Sequence, residues 1–134
     1  MKILLIDDDK VFSEPLVWRL NHEKYEVTYC QSIEDVLDKD GKMKVPQPDC
    51  ILLDIMMPRG RYSKSETAAG KDTGLKLLPD IYKKCPNIPI IVVTARGDLD
   101  IAELQEKYGD NIKAILVKPV TPTEVVEMLE EIST

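Results

Sequence analysis

The sequence is short of aromatic residues, has one histidine, and carries no long apolar stretch. Aromatics make up 5% of 134 residues, too few for the stacking platform on which single-stranded nucleic acid is held. A lone histidine, His22, excludes a histidine-based triad and a histidine-rich zinc site. Its place near the end of a helical pattern suits a structural role beside the helix dipole. Trp18, in the same pattern, is expected to be partly buried. The three cysteines, Cys30, Cys50 and Cys85, are odd in number and far apart. They exclude a disulfide framework and read as reduced thiols of a cytoplasmic protein, with Cys50 in the core. The first apolar run stops at Asp7, so neither a signal peptide nor a membrane span is expected. Basic charge is also scarce: 18 Lys and Arg face 24 Asp and Glu, for a net charge of −6. That balance argues against direct nucleic-acid binding and against an anionic membrane as partner.

What remains is a single domain over residues 1–134, with 43% hydrophobic residues. A chain this long buries roughly two-thirds of its unfolded surface and needs no disulfide or metal to fold. Its apolar residues fall in short runs: Ile3-Leu4-Leu5-Ile6, a weaker alternating Tyr25 to Cys30, Cys50-Ile51-Leu52-Leu53, Ile90-Ile91-Val92-Val93 and Ala114-Ile115-Leu116-Val117. All but the second are continuous, as strands covered on both faces should be.

Helical patterns separate them. Phe12, Leu16 and Leu20 recur every fourth residue. Ser32 to Asp35 resembles a capping box opening a helix that ends near Gly41. Leu75, Leu78 and Tyr82 mark a third helix, which Pro79 should kink. A fourth spans Leu99 to Tyr108, with Asp98 as cap and Gly109 at its end. Thr121-Pro122-Thr123-Glu124 signals the start of a fifth, whose stripe is Val125, Met128, Leu129 and Ile132. Five β–α units with right-handed crossovers give an α/β domain with helices on both faces of a parallel sheet. Such sheets bind ligands beyond the carboxyl ends of their strands.

Those ends carry charge. Asp7, Asp8 and Asp9 follow the first run and Asp54 the third. Thr94 and Ala95 follow the fourth, and Lys118 and Pro119 the fifth. Each taken alone reads as a turn, a cap or a solvated charge. Gathered at one sheet edge, the carboxylates repel one another and require positive charge. A hard divalent cation suits such oxygens, and Mg²⁺ shares itself readily with phosphate. The set points to an Mg²⁺-assisted phosphoryl site with Asp54 as nucleophile. A phosphatase of the haloacid-dehalogenase kind needs a second acid two residues after its nucleophile, where Met56 stands here. A flavin protein would not place Asp7-Asp8-Asp9 beside its phosphate.

The segments Lys2 to Asp9, Ile51 to Pro58, Ile90 to Ala95 and Ile115 to Pro119 together resemble a response-regulator receiver domain of two-component signalling. The resemblance implies a flavodoxin-like doubly wound (βα)5 fold, with a central parallel five-stranded sheet in the order 2-1-3-4-5. It implies that Asp54 is the phosphoacceptor. Asp7, Asp8, Asp54 and the Met56 backbone carbonyl would hold Mg²⁺, with Mn²⁺ as a substitute. Thr94 and Ala95 would serve as the switch and phosphate-contacting residues, Lys118 would contact the phosphate, and the Lys118–Pro119 peptide would be cis. A histidine kinase or phosphotransferase would donate the phosphoryl group. A downstream protein or fused output domain would read it, with a homodimer as one possible arrangement. Such a domain catalyses its own phosphorylation and dephosphorylation and is not a turnover enzyme. The alternative is a degenerate receiver that binds partners without phosphorylation.

Two features depart from the family pattern. Ile115 stands where the family usually has an aromatic, so the usual ring movement cannot operate in its ordinary form. About a dozen residues, 59–71, are inserted after Pro58. This insert carries Arg59, Arg61, Lys64 and Lys71 against Glu66, and its composition predicts a mobile loop. It is either inert or a basic cover over the acidic site. Arg96, Arg59 and Arg61 are therefore candidate modulators of the acyl-phosphate lifetime. After Ile132 only Ser133 and Thr134 follow, which fits a stand-alone receiver and a fragment equally.

Overall fold

The computed structural model describes residues 1–133. Strands β1 (Lys2–Ile6), β2 (Glu26–Cys30), β3 (Cys50–Leu53), β4 (Ile90–Thr94) and β5 (Ile112–Val117) alternate with helices α1 (Lys10–His22), α2 (Ile33–Val36), α3 (Thr73–Lys84), α4 (Ile101–Tyr108) and α5 (Pro122–Ser133). The strands form one parallel sheet in the order β2-β1-β3-β4-β5. The expected fold and strand order are therefore observed.

Strand side chains alternate between two cores, as the pleat requires. Leu4, Ile6, Ile51, Leu53, Ile90 and Val92 pack with Ile33, Val36, Leu77, Leu78, Ile81 and Leu104 on the face of α2, α3 and α4. Ile3, Leu5, Cys50, Leu52, Ile91 and Val93 pack with Leu16, Leu20, Val125, Val126 and Leu129 on the face of α1 and α5. All three cysteines are free and buried.

Several local expectations need correction. α2 is one turn long and does not reach Gly41. Ser32 makes no side-chain cap bond, and Asp35 instead accepts from the Gln31 amide at 3.0 Å. The Asp38 carboxylate gathers the amides of Asp40 and Lys42, each at 2.9 Å. This local turn outcompetes the helix and closes an antiparallel Leu37–Met43 bridge. Asp100, not Asp98, caps α4, accepting from the Ala102 amide at 2.8 Å. α3 continues through Pro79, and its buried stripe is Gly74, Leu77, Leu78 and Ile81; Tyr82 lies largely outside. Trp18 is 69% exposed and stacks on His22 at 5.4 Å.

The α5 start is as the sequence indicates, with the Glu124 amide donating to Thr121 Oγ1 at 3.2 Å. The insert is a chain of hydrogen-bonded turns and not an unanchored loop. Thr67 is fully buried and donates to the Ser63 carbonyl at 2.7 Å. Tyr62 donates to Asp80 of α3 at 2.7 Å, and Arg61 pairs with Glu34 at 2.9 Å.

Candidate functional site

β1 and β3 are neighbours in register, Ile6 opposite Leu53. The residues that follow them, Asp7 and Asp54, therefore emerge side by side. Oxygens of Asp7, Asp8 and Asp54 lie within 4.8 Å of one another. Asp7 and Asp54 are buried, while Asp8 is exposed at the mouth. Backbone amides orient the inner pair. The Asp9 amide donates to Asp7 Oδ1 at 2.8 Å, and the Met56 amide donates to Asp54 Oδ1 at 3.1 Å.

Lys118 enters from the end of β5. Its Nζ donates to Asp7 Oδ2 at 2.9 Å and to Asp54 Oδ2 at 3.3 Å, spanning 111 positions of sequence to Asp7. It also lies 3.7 Å from Asp9 Oδ2 and 4.5 Å from the centre of the Phe12 ring. The Lys118–Pro119 peptide is cis. Thr94 is fully buried at the end of β4, its carbonyl accepting from the Lys118 amide at 2.8 Å. Ala95 is exposed beside it.

The electrostatics are unbalanced. Burial pushes Asp7 up to about 6, although Lys118 and the Asp9 amide act against that shift. Burial likewise raises Asp8, and the charge of Asp54 adds to it. Burial alone would lower Lys118, but the bond to Asp7 and the charges of Asp54 and Asp7 outweigh it and hold the ammonium above its ordinary value. One ammonium facing three carboxylates leaves excess negative charge on hard oxygens, the donor set that suits Mg²⁺.

The family model of the response regulator receiver domain matches residues 3–130. The chain belongs to the response regulator receiver family. Over 131 residues it is 26% identical to the uncharacterized transcriptional regulatory protein YesN of Bacillus subtilis (strain 168), covering 98% of this chain and 32% of that protein. The receiver thus spans about a third of the length of that curated relative. Among solved structures it is similar to Vibrio cholerae chemotaxis protein CheY4, with a TM-score of 0.74 and 21% identity, over 97% of this chain and 96% of that one. It is also similar to a Burkholderia pseudomallei response regulator that contains a phosphorylated aspartic acid, a calcium ion and citrate. There the TM-score is 0.71 and the identity 23%, over 98% of this chain and 70% of that one.

The remaining candidates divide between this centre and its surroundings. Ile115 is half-buried and packs on the core face of α2, α3 and α4. Arg59 and Lys71, with Asp8, Met56 and Gly70, line an open groove of about 580 Å³ beside the acidic centre. Arg61 is not there: it points to α2, bonded to Glu34 and to the Leu37 carbonyl at 3.0 Å. Arg96 does not reach the carboxylates at the site either. Its Nε and Nη2 pair with Asp98 at 3.0 and 2.8 Å, and its Nη1 donates to Asp72 and to the Lys71 carbonyl.

Three contributors escaped the sequence reading. Phe12 is brought over Lys118 by the first turn of α1, in which the Asp9 carboxylate accepts from the Phe12 amide at 3.2 Å. A residue three positions after the acidic run on a helix was the available signal. Asp72 carries no sequence mark. Gly74 starts α3 directly on the Asp54 backbone: a Cβ there would lie 2.5 Å from the Asp54 carbonyl oxygen and 2.6 Å from Ile55 Cα. Only glycine fits that approach.

Proposed function

We propose that this receiver is a phosphorylation-dependent signalling switch, with Asp54 as phosphoacceptor. The observation that carries the reading is the convergence of Lys118 Nζ on both Asp7 and Asp54, with Asp8 alongside. A lysine so placed offsets part of the charge of two buried carboxylates and engages only the Oδ2 oxygen of Asp54, while Oδ1 is oriented by the Met56 amide.

Asp7, Asp8, Asp54 and the Met56 carbonyl would hold Mg²⁺ or Mn²⁺, which offsets charge on the phosphoryl oxygens. The chain's own residues do the rest. An Asp54 carboxylate oxygen attacks the phosphorus of a phosphohistidine on a kinase or phosphotransferase. The P–O bond forms as the P–N bond breaks, and the electron pair leaves on the imidazole nitrogen. Lys118 exchanges its bond with the Asp54 carboxylate for one with a phosphoryl oxygen. The Thr94 hydroxyl and the Ala95 amide receive another, drawing the β4–α4 loop inward and changing partner affinity. Hydrolysis of the acyl phosphate resets the state, so the protein acts as a self-resetting switch and not as a turnover enzyme. The tilt of charge to acid supports a cytoplasmic protein partner over nucleic acid or membrane; among the described residues no helix is long and apolar enough to cross a membrane.

Asp54→Asn should abolish labelling by a small phosphodonor in the presence of Mg²⁺. Labelling that persists in this variant would refute the assignment. Ile115, in place of a ring, favours a second reading, a degenerate receiver that binds partners unphosphorylated. Mg²⁺-dependent binding of beryllofluoride separates the two, since only an intact phosphoryl site takes the mimic.

A further inference from the structure

Together with the adjoining Asp72, the insert forms a segment, 59–72, attached to both loops that frame the candidate site. On the β3 side, Thr73 Oγ1 donates to the Met57 carbonyl at 2.7 Å, the Met57 amide donates to the Gly70 carbonyl at 3.2 Å, and the Gly74 amide donates to the Ile55 carbonyl at 2.8 Å. On the β4 side, one side chain makes the connection. Arg96 lies two residues beyond Thr94, and its amide donates to Thr94 Oγ1 at 3.4 Å. All three guanidinium nitrogens are engaged: the Nε/Nη2 edge grips Asp98 bidentately, while Nη1 reaches Asp72 and the Lys71 carbonyl. A planar fork fixed on two sides transmits displacement better than a flexible ammonium would.

We propose that Arg96 and Asp72 form a positioning clamp through which the state of Thr94 is transmitted to the 59–72 insert, making that insert a phosphorylation-responsive surface of this receiver. The inference rests on the switch reading above. Its physical content is geometric. If the β4–α4 loop moves toward Asp54, Arg96 moves with it, while the residues around Asp72 are pinned by Thr73 and Gly74 to the Met57 and Ile55 backbone. The Nη1 contacts to Asp72 and Lys71 must then lengthen or re-form. The Asp98 contact, within the same loop, travels along. Ile115 cannot supply a ring movement of the ordinary kind, so a polar route from the Thr94 loop to the surface has a task to perform.

Hydrogen exchange of the 59–72 amides, with and without Mg²⁺ and beryllofluoride, tests this in the full chain. Binding of the mimic is followed separately by fluorine NMR. The wild-type protein should change exchange in this segment at least severalfold. Asp72→Asn, which keeps the shape and removes the charge, should still take up the mimic but lose most of that change. Asp98→Asn, which leaves both Nη1 contacts in place, should lose less of it than Asp72→Asn. Uptake of the mimic with unaltered exchange at 59–72, or an Asp72→Asn response equal to wild type, overturns the clamp and leaves the switch reading standing. Failure of the wild-type protein to take up the mimic overturns both.

Discussion

The candidate site and the insert beside it are both rich in charge, yet they handle it oppositely. In and around the insert, the ion pairs lie at half-exposed positions and each cation meets enough acid to balance it: Arg61 with Glu34, Lys76 with Glu66, Arg96 with Asp72 and Asp98. Such pairs contribute little individually and serve to orient the chain. At the strand ends, Lys118 alone faces Asp7, Asp9 and Asp54. Two of those carboxylates are buried, and the group of three at 7, 8 and 54 retains net negative charge. Matched surface charge orients the chain. Unmatched buried charge is a standing demand for a ligand, and it marks where chemistry belongs.

The largest expected effect lies at the unmatched end. Lys118→Ala removes the one fixed donor shared by Asp7 and Asp54, and should slow phosphorylation by a small phosphodonor by about a hundredfold or more, the scale for losing a preorganised charge partner. A drop of less than about tenfold would erase the contrast between the two regions.

Mg²⁺ should come next. Burial pushes Asp7 up to about 6 from an ordinary 3.8. Its contribution to stability in metal-free protein is therefore fully present below about 4 and lost as pH rises through about 6. Mg²⁺ needs the ionised form, so it should stabilise at pH 7.5, by about 2.7 kcal/mol at a hundredfold excess over Kd, and far less at pH 5. Thermal melts at both pH values check the sign; equal stabilisation at both would contradict it.

Gly74→Ala sharpens the comparison where the two regions meet. Its new methyl group strikes the Asp54 backbone, so a loss of about 1–3 kcal/mol is expected in urea unfolding, with labelling impaired as well. Tyr62→Phe lies wholly on the insert side. Loss of the Asp80 hydrogen bond should cost about 0.5–1.5 kcal/mol with labelling unchanged. Smallest of all, Trp18→Ala should stay within about 0.5 kcal/mol, because the ring is largely solvated.

The same contrast explains what the sequence disclosed. Continuous apolar runs name the buried parallel strands β1, β3 and β4. The run Ala114 to Val117 instead forms part of the edge strand β5, with Ile115 and Leu116 half-buried and Val117 exposed, so coverage on both faces fails there. The residue after each run still stands at the carboxyl edge. Asp7, Asp54, Thr94 and Lys118 therefore followed from one-dimensional order. Surface pairings do not. Asp98 and Asp100 are equally good caps by composition, and only the presence of Arg96 shows that Asp98 is engaged elsewhere. The Asp38 turn that ends α2 early is local, but a capping-box pattern and an Asx turn compete for the same few residues and composition does not rank them. The bond from Thr73 to the Met57 carbonyl that anchors the insert joins residues 16 apart. Trp18 sits in an apolar-looking helix, but periodicity does not say which stripe meets the sheet when Leu16 and Leu20 suffice.

The most direct measurement is chemical: react the protein with a small acyl phosphate and Mg²⁺, trap the product with borohydride, and locate the reduced residue by mass spectrometry. Conversion at Asp54 alone, dependent on the metal, is the expected result. Conversion at Asp8 or Asp9, or none at any aspartate, would contradict the view that these strand ends form one phosphoryl-accepting centre.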